Sequence, residues 1–156
     1  MTTRLDAGAE IDADLERVWE VLVDWQGQER WIPLTTLRVL SEHEEGLGVR
    51  VAALSGFWLG RLPVGLLDNF VVTGWSPPQG GEAELEILHL GPYFTGEGVF
   101  HLSDRGGRTR VSCTELVTVP GGRATNALVG LTLPLMRLGF GQSLAQLAAV
   151  IEGGRD

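Results

Sequence analysis

The spacing of apolar residues along this chain changes twice, and the changes divide it into a strand-rich body between two helical segments. Residues 3–11 alternate, with Leu5, Ala7, Ala9 and Ile11 set against Asp6, Gly8 and Glu10, the period-two pattern of a half-buried strand. Leu15, Val18, Trp19, Leu22 and Trp25 then recur at three- and four-residue intervals, which predicts an amphipathic helix over 14–25. Asp12 and Asp14 put negative charge where a helix N-terminus favours it. Gly27 interrupts the stripe. A short helical turn over 28–32 ends at Pro33, because the residue before a proline is pushed out of the helical region.

Strand-like runs follow at 35–43, 47–57, 65–76, 82–91, 94–104 and 107–119. Their boundaries are turn chemistry: Glu45-Gly46, Pro77-Pro78-Gln79-Gly80-Gly81, Gly91-Pro92 and Gly106-Gly107. The last segment, 122–152, reads as one long apolar helix in which Arg137 is the only charge between Arg123 and Glu152. Leu128, Leu131, Leu135, Leu138 and Gln142 share helical spacing, so that face is expected to be buried. Pro134, Gly139 and Gly141 are expected to bend or loosen it midway. Its charge-free stretch, 127–136, is too short for the ~20 residues that cross a bilayer, so no stable membrane insertion is expected. A bent, mostly buried helix after a β-rich body suggests a sheet curled around a helix, with a cavity between them.

Composition narrows the partners. The 156 residues fit a single domain, 1–156, large enough for a real core. A net charge of −8 with no basic stripe argues against nucleic acid and disfavours an anionic membrane surface. All 12 basic residues are arginine, which removes Schiff-base chemistry, a lysine general base and the phosphate-loop motif. The lone cysteine, Cys113, excludes an internal disulfide and a multi-cysteine zinc site. The first eleven residues are polar and alternating, unlike a signal peptide. The expectation is a reduced, cytoplasmic, soluble protein.

Several local motifs match a known pattern. Ile11-Asp12-Ala13-Asp14 followed by Val18-Trp19 is similar to an Ile-x-Ala-Pro…Val-Trp opening, and Trp31-Ile32-Pro33 to a Trp-Leu-Pro motif. Trp75-Ser76-Pro77-Pro78 is similar to an Asp-Pro-Pro turn, and Gly107-Arg108-Thr109-Arg110-Val111 to a Gly-x-Thr-x-Val hairpin. Ser143-Leu144 and Leu147 fit near the end of the final helix. Taken with the element order, nearly the whole chain resembles the START-like superfamily, also called SRPBCC, polyketide cyclase/dehydrase-like or pollen-allergen-like. Asp14 departs from it by standing where proline is usual, and 55–67 is unusually apolar. The resemblance implies the helix-grip fold, an α+β architecture whose seven-stranded antiparallel sheet wraps a long C-terminal helix. The superfamily holds lipid and hormone carriers, cyclases, hydrolases and chaperone-binding modules, so the resemblance implies a cavity rather than one reaction.

Candidate chemistry comes from two hairpins. With Gly106-Gly107 as a two-residue turn, Arg105 pairs with Arg108, Leu102 with Val111, Phe100 with Cys113, Gly98 with Glu115 and Gly96 with Val117. The apolar members mark the inward face, so Glu115 points inward. With Pro92-Tyr93 as the preceding turn, Gly91 pairs with Phe94, His89 with Gly96, Ile87 with Gly98 and Leu85 with Phe100. His89 then points inward too. Strand spacings put the Cα atoms of His89 and Glu115 roughly 12 Å apart, across a floor made by Gly96 and Gly98. A bulge in either strand would reverse the parity. Cys113, opposite Phe100, reads as an inert core thiol.

The remaining polar residues carry less. His43 sits in a charged turn and His101 on the outward set, and no two histidines share metal-ligand spacing, so no metal and no cofactor are expected. Asp24, Asp68 and Glu97 show no partner in the pattern, and Asp68 begins a strand. Trp19, Trp25 and Trp31 read as core. Phe57, Trp58 and Trp75, with Leu59, Leu62, Val64 and Leu66, form an apolar mouth, a satellite cluster or a homodimer contact.

The reading that follows is non-covalent binding of a hydrophobic small molecule (a lipid, polyketide or aromatic metabolite). Phe94, Phe100, Trp58, Leu128, Leu131 and Leu135 would be its walls, and His89 and Glu115 would orient its polar end. A cyclase or dehydratase using His89 and Glu115 for proton transfer is the second reading. A protein-interaction module using 57–67 is the third.

Overall fold

The computed structural model describes residues 2–154, apart from the side chains of Phe57, Trp58, Leu59, Pro63 and Leu128. The chain opens with β1 (Thr2–Ile11), α1 (Leu15–Val23), a 3-10 turn (Gln26–Arg30) and β2 (Thr35–Val39). It continues through β3 (Arg50–Leu59), β4 (Leu62–Gln79), β5 (Glu82–Pro92), β6 (Thr95–Asp104) and β7 (Thr109–Thr118) to α2 (Arg123–Gly153). The strands form one antiparallel sheet in the order β1-β7-β6-β5-β4-β3-β2. This is the α+β helix-grip arrangement.

Local chemistry explains where α1 starts. The Asp14 carboxylate accepts from the Arg17 amide at 2.8 Å, satisfying an N–H that the helix itself cannot. Leu15, Val18, Trp19 and Leu22 are buried on the sheet. Trp19 meets Trp75 of β4 edge-on, with ring centroids 5.1 Å apart. Trp75 therefore belongs to the packed interior edge rather than to an apolar mouth.

The β6–β7 hairpin turns at Gly106 and Gly107, both at positive φ, with the Arg105 amide donating to the Arg108 carbonyl at 2.7 Å. Two consecutive positive-φ residues are what a tight hairpin turn requires. The expected register follows: Phe100 opposes Cys113 and Gly98 opposes Glu115. The β5–β6 pair also holds its expected register, with His89 opposite Gly96 and Leu85 opposite Phe100. The β4–β5 pair is less regular. Its register shifts between Asn69 and Phe70, between Val72 and Gly74, and between Ser76 and Gln79. Such bulges bend a strand and increase its twist, which helps this long pair curl.

Helix α2 is seated by its C-terminal half. Leu144, Leu147 and Ile151 are buried in the same core as Leu15, Leu22, Leu85 and Leu102. Burying a side chain of this size stabilises by ~1.5–3 kcal/mol. The stripe expected to be buried is not: Leu131, Leu135 and Leu138 are 80%, 70% and 58% exposed. At 3.6 residues per turn, nine residues carry the chain two and a half turns, so Leu131 and Phe140 lie on opposite faces. Both faces are apolar at helical spacing, and the sheet takes the one bearing Phe140, Leu144, Leu147 and Ile151. The helix runs unbroken through Pro134. Among the described residues, no helix is long and apolar enough to cross a membrane.

Candidate functional site

Between the sheet, the 3-10 turn and α2 lies a pocket of about 210 Å³. Its walls are largely aromatic: Trp25, Trp31, Phe70, Phe94, Phe100 and Phe140. Its ionisable lining residues are Asp68, His89 and Glu115. A wider hollow of about 700 Å³, beside Trp75, Pro77, Pro78 and His101, lies on the outer surface, where His101 and its partner Glu82 are open to solvent.

Strand parity positions the polar cluster. His89 alternates with Leu85 and Ile87 on the inner face of β5, and Glu115 with Cys113 and Val117 on β7. Asp68 alternates with Phe70 and Val72 on β4, and Phe70 is the residue opposite His89. The register shift leaves Leu90 unpaired, so Asn69 pairs with Gly91 and Asp68 with Pro92. Asp68 thereby lies diagonal to His89 on the same face. Its Oδ2 is 2.8 Å from His89 Nδ1. A carboxylate only accepts, so Nδ1–H is the donor, and Nε2 is turned to the opposite side. There it lies 3.9 Å from Glu115 Oε2, too far for a direct hydrogen bond. The imidazole is held between Phe94 and Phe70, with centroid separations of 5.2 and 6.1 Å.

The cluster is nearly closed to solvent. The side chains of His89, Asp68 and Glu115 are 6%, 15% and 18% exposed. His89 Nε2, Asp68 Oδ1 and Trp31 Nε1 are buried without a hydrogen-bond partner among the described residues. Buried polar groups left unpaired are expensive, and here all three belong to residues that line one pocket. Burial pushes the Glu115 carboxyl above its ordinary range, His89 pulls it part of the way back, and the Asp68 charge adds to the rise. For His89, burial works against the cation, but the bond to Asp68 and the charges of Asp68 and Glu115 outweigh it. Its pKa therefore lies above the usual imidazole value.

Other expected site residues separate into three groups. Phe94 and Phe100 line the pocket. Gly96 and Gly98 are not among its lining residues; Gly96 makes room for a neighbouring backbone and Gly98 for a neighbouring side chain. Gly96 has φ +153°, and a Cβ there would run into the Leu116 carbonyl. At Gly98 a Cβ would come within 2.9 Å of Ile87 Cγ1, so its bareness leaves room for Ile87 beside Glu115. Leu131 and Leu135 face away from the pocket, for the helical-phase reason given above. Trp58 and Leu128 have side chains outside the described residues.

Three features escaped the sequence reading. Asp68 has a partner, although its parity with Phe70 and Val72 was a usable signal. Trp25 and Trp31 belong both to the core and to the pocket wall. Asp24, unpartnered in the pattern, pairs with Arg30 at 3.2 Å. His101 does face outward and bonds Glu82 at 2.8 Å, and His43 is exposed against the Leu47 carbonyl. Cys113 is buried opposite Phe100, and burial pushes its thiol up. No group of three His, Cys, Asp or Glu among the described residues is placed to hold a metal ion.

A long helix seated in a curved antiparallel sheet, with an aromatic pocket between them, defines a helix-grip protein. The chain belongs to the polyketide cyclase / dehydrase and lipid transport family, whose model matches residues 2–152. Family and fold together suggest hydrophobic-ligand binding or cyclase-type chemistry. No curated protein sequence matches the chain. Among solved structures, the protein TTHA0849 from Thermus thermophilus is similar over 99% of this chain and 100% of its own, at 19% identity and a TM-score of 0.76. The Zhui aromatase/cyclase from Streptomyces sp. R1128 is similar over 97% and 94%, at 14% identity and a TM-score of 0.68. A Thalictrum flavum norcoclaurine synthase point mutant, solved with a transition-state analogue, is similar over 100% and 98%, at 11% identity and a TM-score of 0.66. Likeness at these identities concerns the fold.

Proposed function

We propose that this protein binds a hydrophobic small molecule in the pocket between sheet and helix, with the ligand's polar end at His89 and Glu115. One observation carries the reading: His89 Nε2 is buried without a partner, 3.9 Å from Glu115 Oε2, in an aromatic pocket. Apolar walls supply affinity and a few convergent polar groups supply orientation, as in most small-molecule sites. At about 210 Å³ the pocket is smaller than the ~300–1,000 Å³ usual for drug-sized ligands. It suits a compact one- or two-ring compound better than a long-chain lipid.

Native mass spectrometry of freshly purified protein, before and after solvent extraction, tests this, together with tryptophan quenching by naphthalene. Trp25 and Trp31 line the pocket, so an occupant alters their emission. A retained compound or saturable quenching supports the reading. A bare mass with no saturable quenching would sink it.

The Asp68–His89 bond favours a second reading, in which the same pocket performs acid–base chemistry. A carboxylate on Nδ1 fixes the tautomer and orientation of the ring and leaves Nε2 to exchange protons with a substrate. Glu115 stands across the gap as the partner acid or base. Under this reading, Asp68→Asn lowers turnover and shifts the pH–rate profile while leaving substrate affinity nearly unchanged. An unshifted profile at full turnover would remove it.

A further inference from the structure

The pocket's charge inventory is one-sided. Asp68 and Glu115 are two acids, His89 is one base, and no arginine is among the described residues that line it. With both carboxyl groups ionised, even an imidazolium leaves the cluster one negative charge in excess. An anionic ligand group would enter against that excess, and the one cation there, a His89 imidazolium, is already matched by Asp68 at 2.8 Å; burying a charge without its own partner is costly. The gap between His89 Nε2 and Glu115 Oε2, 3.9 Å, matches a different group. A single oxygen roughly 2.8 Å from each atom accepts from Nε2–H and donates its own proton to the carboxylate. A hydroxyl does both, whereas a carboxylate has no proton to give. We infer that the ligand is a neutral, compact aromatic compound whose hydroxyl bridges His89 and Glu115, and that carboxylates are rejected.

This deepens the binding reading and rests on it, so the test separates the two. Naphthalene, 2-naphthol, 2-naphthoate and 2-naphthylmethylamine share one ring system and differ in the group offered to the cluster. Each is titrated into wild-type protein by calorimetry at neutral pH. The expected order is 2-naphthol at least tenfold tighter than naphthalene, with 2-naphthoate weaker than naphthalene. In Glu115→Gln, which keeps the shape and removes the acid, 2-naphthol loses at least threefold and 2-naphthoate gains at least threefold relative to naphthalene. Naphthol no tighter than naphthalene, or naphthoate as tight as naphthol, overturns the inference and leaves the binding reading standing. Amine binding tighter than naphthol overturns it in favour of a cation site. Failure of all four probes, naphthalene included, together with a bare native mass takes down the binding reading itself.

Discussion

His89 Nδ1 lies 2.8 Å from Asp68 Oδ2, across a strand pair whose register breaks between Asn69 and Phe70. The break sets the geometry. Phe70 occupies the position opposite His89, and Asp68, two residues back on the same face, reaches the ring diagonally. The bond turns Nε2 toward Glu115, so one carboxylate orients the imidazole while the other faces its free nitrogen. Replacing Asp68 by asparagine keeps the size and removes the charge. The His89 imidazole is then expected to titrate at lower pH than in wild type, because burial acts on it with less opposition. Histidine ring resonances followed by NMR across pH read this directly. An unchanged or raised midpoint would show that Asp68 does not hold the cation.

Stability is expected to depend on pH through the same cluster. Glu115 is raised above 4.5 mainly by burial. His89 is raised above 6.5 because its carboxyl neighbours outweigh burial. In both cases the folded protein binds protons more tightly than the unfolded chain. The contribution is therefore complete below those reference values and declines as pH rises above 4.5 for Glu115 and above 6.5 for His89. Glu115→Gln removes one of the two. Urea midpoints should show the variant gaining on wild type as pH rises through that window. A gap that closes in the opposite direction contradicts the burial assignment.

Gly96 is expected to tolerate no side chain. Its φ of +153° and the approach of the Leu116 carbonyl both oppose a Cβ. Gly96→Ala should lose about 2 kcal/mol or more, combining backbone strain with overpacking. Equilibrium denaturation measures it, and a loss under about 0.5 kcal/mol would mean that the β6–β7 backbones relax apart.

The two faces of α2 should respond differently to truncation. Leu144→Ala opens a void in the core and is expected to cost ~2–5 kcal/mol. Leu131→Ala, at a position 80% exposed, should change stability by no more than about 0.5 kcal/mol. Similar losses at both sites would place the Leu131 face against something in solution.

Much of the inner face is legible in the sequence. Glycine pairs force positive-φ turns, and a two-residue turn fixes which residues oppose one another. The Gly106-Gly107 hairpin thus set Glu115 against Gly98 and Cys113 against Phe100, and a two-residue turn at Pro92-Tyr93 carried the parity on to His89. Asp68 resisted because its pairing depends on a bulge, and a bulge is decided by how two distant strands fit when the sheet curls. The pattern makes Gly96 and Gly98 a bare floor, whereas Gly96 answers to the approach of the Leu116 carbonyl, which depends on β7 being in place.

The sequence by itself determined the element order, the registers of the β5–β6 and β6–β7 hairpins and the inward parity of His89 and Glu115, because these follow from local turn chemistry and the period of two. Only the tertiary structure decided which apolar face of α2 meets the sheet, since Leu131 and Phe140 lie half a turn apart on equally apolar stripes. It also decided that Asp68 completes the cluster. Both outcomes depend on packing between segments far apart in the chain, where no local periodicity reaches.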